Sequence, residues 1–260
     1  MQTIKLDVRY YHRLRRVGMG EGDIHHNTLH WSLRPDEIAL VLVDVWSNHP
    51  IDTHLQRGRE ITLKCIRPVM DAFRQIGATV IHAPGPDCAR HYPQWTRYAG
   101  DDEIRGRRPS PKEDWPPPDF QKKAGKYRKL ARPSEPRDPA FDGVIKGRRI
   151  IAEVAPLDSD AVVASGDQLH RLLCHKKILH LFYVGFAANI CVPFKDYGMR
   201  AMGNRGYEII LVRDCTTAIE TADTIKSLDL SRNAVRDTEL NIGYTVSSSK
   251  LVSACEKATT

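Results

Sequence analysis

Residues 183–198 read YVGFAANICVPFKDYG, and the fold turns on how Cys191 comes to stand in that stretch. The run before it, ILHLFYV over residues 178–184, is apolar, β-branched or aromatic almost without interruption. Such a run reads as a central strand covered on both faces. Gly185 breaks it, small residues and Asn189 follow, and from Cys191 the apolar positions Val192, Tyr197, Met199 and Met202 have the spacing of a helix over 191–202. Cys191 is therefore expected in a strand-to-helix turn at the carboxyl end of a parallel strand, where open α/β sheets keep their sites.

Working outward, IALVLVD over residues 38–44 is the first convincing core strand and ends in an acid. The spacing of Ile61, Cys65, Val69 and Phe73 predicts a helix over about 57–76 with Gly77 as its stop. ATVIHAP returns as a strand over 78–83, which completes a βαβ unit with the usual right-handed crossover. Further on, RRIIAEV (148–154) reads as a short strand or extended segment, and 166–176 reads as a helix with Leu169, Leu172 and Leu173 on one face. A strand over 207–212, a helix over about 223–240, a short strand near 244–247 and a final helix close the chain. The alternation implies a three-layer α/β/α sandwich with a mainly parallel, doubly wound, Rossmann-like sheet. Residues 1–35 read as an N-terminal strap ahead of one domain over 36–260.

An apolar fraction of 41% over 260 residues is enough for a sizeable core. The basic start lacks an apolar run behind it and no later segment has bilayer-spanning length, so a soluble, cytoplasmic protein without membrane contact is expected. Six cysteines without a CxxC pair read as free thiols. Much of the net charge of +7 lies between Arg105 and Arg149, in a proline-rich insertion over about 100–147 without helical or strand period. A solvated or subunit-contacting arm is the favoured reading, and nucleic acid is not the expected partner.

The carboxyl ends of such strands share one rim, which would gather Asp44, His82, Glu153 and Cys191. A cysteine at a helix N-terminus feels the positive end of the dipole, and the free N–H groups of the first turn can hold an oxyanion. Position alone leaves a reactive and an inert, packed Cys191 equally open. His49 and His82, just past two strand ends, could with Glu153 ligate a divalent metal. Histidines near turns are more often hydrogen-bonded groups, so neither metal nor cofactor is expected. Trp46, and Tyr92 or Trp95, could wall a pocket for a planar substrate.

The combination of ALVLVD, VGFAANICV before a helix, and GYEIILVRDCTTAI resembles the isochorismatase-like cysteine hydrolases over roughly residues 36–255, with the basic insertion as an interruption. The resemblance implies a three-layer α/β/α fold, a homo-oligomer, and cleavage of C–N bonds in small amides, ureides or carbamoyl compounds through a thioester. It matches Cys191 to the nucleophile and Asp44 to the carboxylate that exchanges a proton with it. It implies an oxyanion hole over Ala188, Asn189, Ile190 and Cys191, beside a non-proline cis bond at Ala187-Ala188. The family's third member is a lysine, and here Glu153 stands where it is expected, as a second proton carrier or substrate-binding group. A carboxylate there would raise the thiol pKa where an ammonium lowers it. Trp46, His49, His82 and Lys195 are the expected substrate-binding residues, with Lys195 able to replace the missing charge if it folds back toward the turn. The metal-binding Asp-x-His of nicotinamidase-type relatives is matched in letters by Asp52-Thr53-His54, in the lead to the first helix. The alternative reading is a non-catalytic or carboxylate-led, metal-assisted member of the fold that serves as a ligand-binding or assembly module.

Overall fold

The structure, a computed structural model, describes residues 3–12, 16–96, 115–133 and 135–259. Residues 100–114 and 134 of the expected insertion lie outside them. In chain order the strands are β1 (Ile4–Tyr11), β2 (His26–Leu33), β3 (Ile38–Val43), β4 (Thr79–Ala83), β5 (Ala161–Val162), β6 (His180–Phe186), β7 (Glu208–Thr217) and β8 (Tyr244–Val246). They form one sheet in the order β2-β1-β8-β7-β6-β3-β4-β5. The six strands from β8 to β5 pair in parallel, and β1 adds antiparallel to β8 and to β2.

The α-helices are α1 (Asp52–Ile61), α2 (Arg67–Gln75), α3 (Pro86–Ala89), α4 (Pro118–Gln121), α5 (Phe141–Lys146), α6 (Gly166–Lys176), α7 (Cys191–Phe194), α8 (Met199–Asn204), α9 (Asp229–Asp237) and α10 (Ser248–Thr259). The all-apolar reading of β3 follows from its position. Leu40 and Leu42 join Phe73 of α2 and Leu251 of α10 on one face. Ala39, Val41 and Val43 join Leu169 of α6 and Met202 of α8 on the other. Alternate side chains thus feed two cores, and a strand between them has no polar face to show.

Gly185 lets β6 close against β3. Its φ of 110° suits glycine, and a Cβ there would stand 2.0 Å from the Val43 carbonyl oxygen. The predicted helix over 57–76 begins five residues earlier, at Asp52, and runs through a π turn at Thr62–Ile66 into α2. Pro68 lies in the first turn of α2, where its missing N–H is best tolerated.

Two expected elements differ. RRIIAEV makes no strand of the parallel sheet. Its residues 149–151 lie antiparallel to the segment just past β3, through Ser47 N–H to Arg149 O (2.7 Å), Ile151 N–H to Val45 O (3.1 Å) and a bridge between Trp46 and Ile150. The strand that precedes α6 is the two-residue β5 instead. The helix expected over 191–202 is two short helices, because Lys195 is extended (ψ 158°). The break lets Asp196 cap the Gly166 N–H (2.8 Å) and lets Tyr197 turn into the core, where its carbonyl accepts from the Tyr183 hydroxyl (2.9 Å).

Residues 4–11 and 26–33 are an antiparallel pair on the sheet edge, with Ile4, Leu6 and Val8 buried. Glu239, with its side chain 1% exposed, ties this pair to the domain. It accepts from Arg9 (2.7 Å), His26 (2.8 Å) and the Thr245 hydroxyl (2.6 Å). No helix among the described residues is long and apolar enough to cross a membrane.

Candidate active site

Asp44 leaves β3 in the left-handed region, at φ 49°, with its N–H bonded to Ala83 O of β4 (3.2 Å). Aspartate tolerates this conformation better than most residues, and it turns the side chain off the strand line toward α7. Cys191 is the first residue of α7, just past β6, the strand beside β3. The chain between them carries a non-proline cis bond at Phe186-Ala187, one peptide before the expected Ala187-Ala188.

Strand order thus brings the thiol of Cys191 beside the Asp44 carboxyl, near enough for each to shift the other's pKa. That carboxyl accepts a hydrogen bond from the buried Tyr197 hydroxyl, which donates to Oδ1 at 3.0 Å. Oδ2 is buried without a hydrogen-bond partner among the described residues.

Burial dominates the electrostatics of the pair. It lifts the Asp44 carboxyl to about 6, against the pull of Lys195, the Cys191 thiol, the Tyr197 hydroxyl and Arg148. Burial and the neighbouring carboxylate push the Cys191 thiol up to about 12, with Lys195 and the Ala187 N–H acting the other way. The resting pair at neutral pH is therefore a thiol beside a carboxylate. The helix-end dipole does little to draw the thiol down, because α7 is only four residues long and the sulfur is largely desolvated.

The turn before Cys191 is tightly held. Asn189 brackets Ile219, donating to its carbonyl and accepting from its N–H, both at 3.1 Å. The Ala188 N–H goes to Thr217 O (3.0 Å) and that of Ile190 to Ala187 O (3.1 Å). Of the four residues expected to form an oxyanion hole, Ala188 and Ile190 therefore have N–H groups already engaged. Those of Asn189 and Cys191 meet no protein acceptor among the described residues.

Beside the pair opens an apolar cavity lined by Trp46, His54, Phe186, Ile190, Cys191 and Ile219, among others. Trp46 and His49 are lining residues, as expected. His54 is also a lining residue, because α1 starts early enough to carry it over the cavity. Its place in Asp52-Thr53-His54 was the available signal.

Burial, with help from His49 and Arg57, pushes the His54 imidazole down to about 4, and burial lowers His49 as well, so both rings are neutral at pH 7. The His54 Nδ1 donates to Ala218 O (3.2 Å), which leaves its Nε2 a bare acceptor. The His49 Nδ1 accepts from Ile51 N–H (3.0 Å), which puts the ring proton on Nε2. Among the described residues no group of three or more His, Cys, Asp or Glu is arranged to hold a metal ion.

Two expected site residues lie elsewhere. Glu153 sits in the turn Ala152–Val154 and pairs with Arg59 at 2.5 Å, off the cavity wall, because residues 148–154 do not form the strand that would have aimed it at Cys191. His82 is buried on β4 and faces Asp160 (3.4 Å), which Arg74 also contacts (2.5 Å), so it serves the packing of β4 on β5 and not a substrate. Tyr92 and Trp95 are also off the cavity. The Tyr92 hydroxyl accepts from Ile150 N–H (2.7 Å), and the Trp95 indole donates to Gln168 (3.0 Å).

Lys195 is half-buried, its ammonium 5.9 Å from the Tyr197 ring centroid, and its charge acts on both Asp44 and Cys191. Arg148, marked in the sequence by nothing beyond a basic run, stacks over Trp46 with the guanidinium carbon 3.8 Å from a ring centroid.

Solved structures with this fold include a cysteine hydrolase from Pseudomonas syringae pv. phaseolicola 1448A, 17% identical, with a TM-score of 0.56 over 88% of this chain and 96% of that one. An isochorismatase family protein from Burkholderia thailandensis is 16% identical, with a TM-score of 0.50 over 85% and 96% of the two chains. An isochorismatase-like hydrolase from Alkaliphilus metalliredigens is 15% identical, with a TM-score of 0.50 over 84% and 98%. No curated protein sequence matches this chain significantly. The sequence itself matches the family description "Isochorismatase domain" over residues 39–239, a span that takes in Asp44, the cavity and Cys191, and the chain accordingly belongs to the isochorismatase family.

Proposed function

We propose that the protein is a hydrolase that cleaves a C–N bond of a small amide, ureide or carbamoyl-type compound through a thioester on Cys191. The observation that carries this reading is the Cys191 thiol set beside the buried Asp44 carboxyl, whose pKa burial lifts to about 6. As the sulfur attacks the carbonyl carbon, the Asp44 carboxylate takes the thiol proton, and the N–H groups of Asn189 and Cys191 face the oxyanion. Asp44 then gives that proton to the leaving nitrogen as the C–N bond breaks. Water adds to the thioester with Asp44 again as base, and the sulfur leaves and recovers its proton.

The single negative charge passes from Asp44 to the oxyanion and back without a free thiolate, so the high thiol pKa is no obstacle. The bare Nε2 of His54 and the protonated Nε2 of His49 suit a ligand with both N–H and C=O groups. The same reading takes the protein as a cytoplasmic homo-oligomer, and its six free cysteines accord with a reducing compartment.

The test is ammonia or amine release from a panel of small amides and ureides. A substrate turned over by the native protein should lose at least about a thousandfold in rate in Cys191→Ala, with the circular dichroism unchanged. Undiminished turnover of that substrate by the variant would contradict the covalent route.

A further inference from the structure

The segment that failed to become a strand places an arginine where the reacting pair needs a fixed cation. Residues 149–151 are bonded back to residues 45–47, which sets Arg148 directly against Trp46. The Trp46 ring is held from its other end, with the indole N–H donating to Pro84 O at 2.9 Å. The guanidinium rests 3.8 Å over the ring, half-buried, and its Nε is buried without a hydrogen-bond partner among the described residues.

Burying a guanidinium nitrogen without an acceptor is costly unless negative charge nearby offsets it. Among the described residues, the carboxylate that acts on Arg148 is that of Asp44, beside Cys191. We propose that Arg148, fixed by its stack on Trp46, is the positioning residue that holds negative charge on the Asp44–Cys191 pair. This rests on the reading of that pair given under Proposed function.

Arg148 differs from Lys195 in mobility. Lys195 reaches back from the break between α7 and α8 on a flexible stem, whereas a planar guanidinium on an indole face has little freedom and remains charged at every working pH. The ionisable groups that act on Asp44 are Cys191, Tyr197 and Lys195 from the α7 side, and Arg148. Those that act on Arg148 are Asp44, Cys191 and Cys88 of α3, with His49 facing it from the loop after β3. His49 is neutral at pH 7, and Cys88 is pushed up to about 11, chiefly by burial, so neither supplies an anion that would satisfy Arg148 instead.

The test reads Cys191 directly and needs no substrate. Iodoacetamide labelling is followed by peptide mass spectrometry from about pH 5 to pH 9, in the full-length native protein and in Arg148→Met, Arg148→Gln and Arg148→Lys. In the native protein the Cys191 rate should rise through a limb set by Asp44 and then level off. In Arg148→Met and Arg148→Gln that limb should move up by about 0.5–1 pH unit, and Arg148→Lys should recover part of the shift.

A merely structural arginine would change the amplitude and leave the limb in place, and an unmoved limb overturns the proposal. So does an equal shift in the lysine variant. If Arg148→Met does not fold, the glutamine variant decides on the same criteria. A native protein with no Asp44 limb at all would overturn the reading of the pair, and the Arg148 assignment with it. The two failures are therefore distinguishable.

Discussion

Asp44 is the residue on which the chemistry depends, and each of its oxygens is in a different situation. Oδ1 takes the Tyr197 hydroxyl at 3.0 Å, while Oδ2 is buried without a hydrogen-bond partner among the described residues. Tyr197→Phe therefore removes a donor that favours the charged carboxylate, and the Asp44 pKa should rise from about 6. Activity that depends on ionised Asp44 falls as pH drops through that pKa, so its acid limb should move to higher pH in the variant. Buried desolvation of the freed oxygen should also cost about 1–2 kcal/mol of stability, read by urea denaturation. At this scale the sequence carried Asp44, Cys191, Trp46 and His49 to the right rim, because each follows a strongly apolar strand. It misplaced Glu153 and His82 and gave no reason to single out Arg148. Their surroundings depend on which segment pairs with which, and a single chain's spacing does not carry that information.

Among the elements, β3, β4, α6, β8 and α10 could be read because their apolar periods are long or cleanly bounded. β5 could not, since two residues have no period, and the more apolar RRIIAEV attracted the assignment. β1 was also missed, although IKLDVRYY alternates apolar and polar residues from Ile4 to Val8 as an edge strand should. The pairing of β4 with β5 depends on a buried carboxylate. Burial raises the Asp160 pKa, but hydrogen bonds from His82, Arg74 and the Leu157 N–H outweigh it and hold the carboxyl at about 2. Since this folded-state pKa lies below the ordinary value, the stabilisation is complete above about pH 4 and is lost as pH falls through about 2. Asp160→Ala leaves His82 and Arg74 without their acceptor. It should cost about 3 kcal/mol at pH 7, with the deficit vanishing toward pH 2, as measured by denaturant unfolding at several pH values.

At the scale of the whole molecule, the parallel strands put the two reacting groups side by side, and the N-terminal pair closes the sheet edge far from them. Glu239 joins these parts by holding Arg9 and His26 to β8 through Thr245. Glu239→Ala should release β1 and β2, seen as faster amide hydrogen exchange over residues 4–11 and 26–33, while exchange in β3 and β6 stays slow. The central claim is that Cys191 is activated by proton transfer to Asp44 within one buried pair. The most direct measurement is the pH dependence of Cys191 alkylation in the native protein and in Asp44→Asn. Cys65, whose thiol is drawn down to about 7 chiefly by the hydrogen bond from Cys215, and the exposed Cys174 serve as internal references with no carboxylate partner of this kind. With Asp44 as base, the native Cys191 rate should rise near pH 6 and then stay level. In Asp44→Asn it should be far slower and climb about tenfold per pH unit, as expected for a thiol with a high pKa and no base. The same tenfold climb in both proteins would contradict the account.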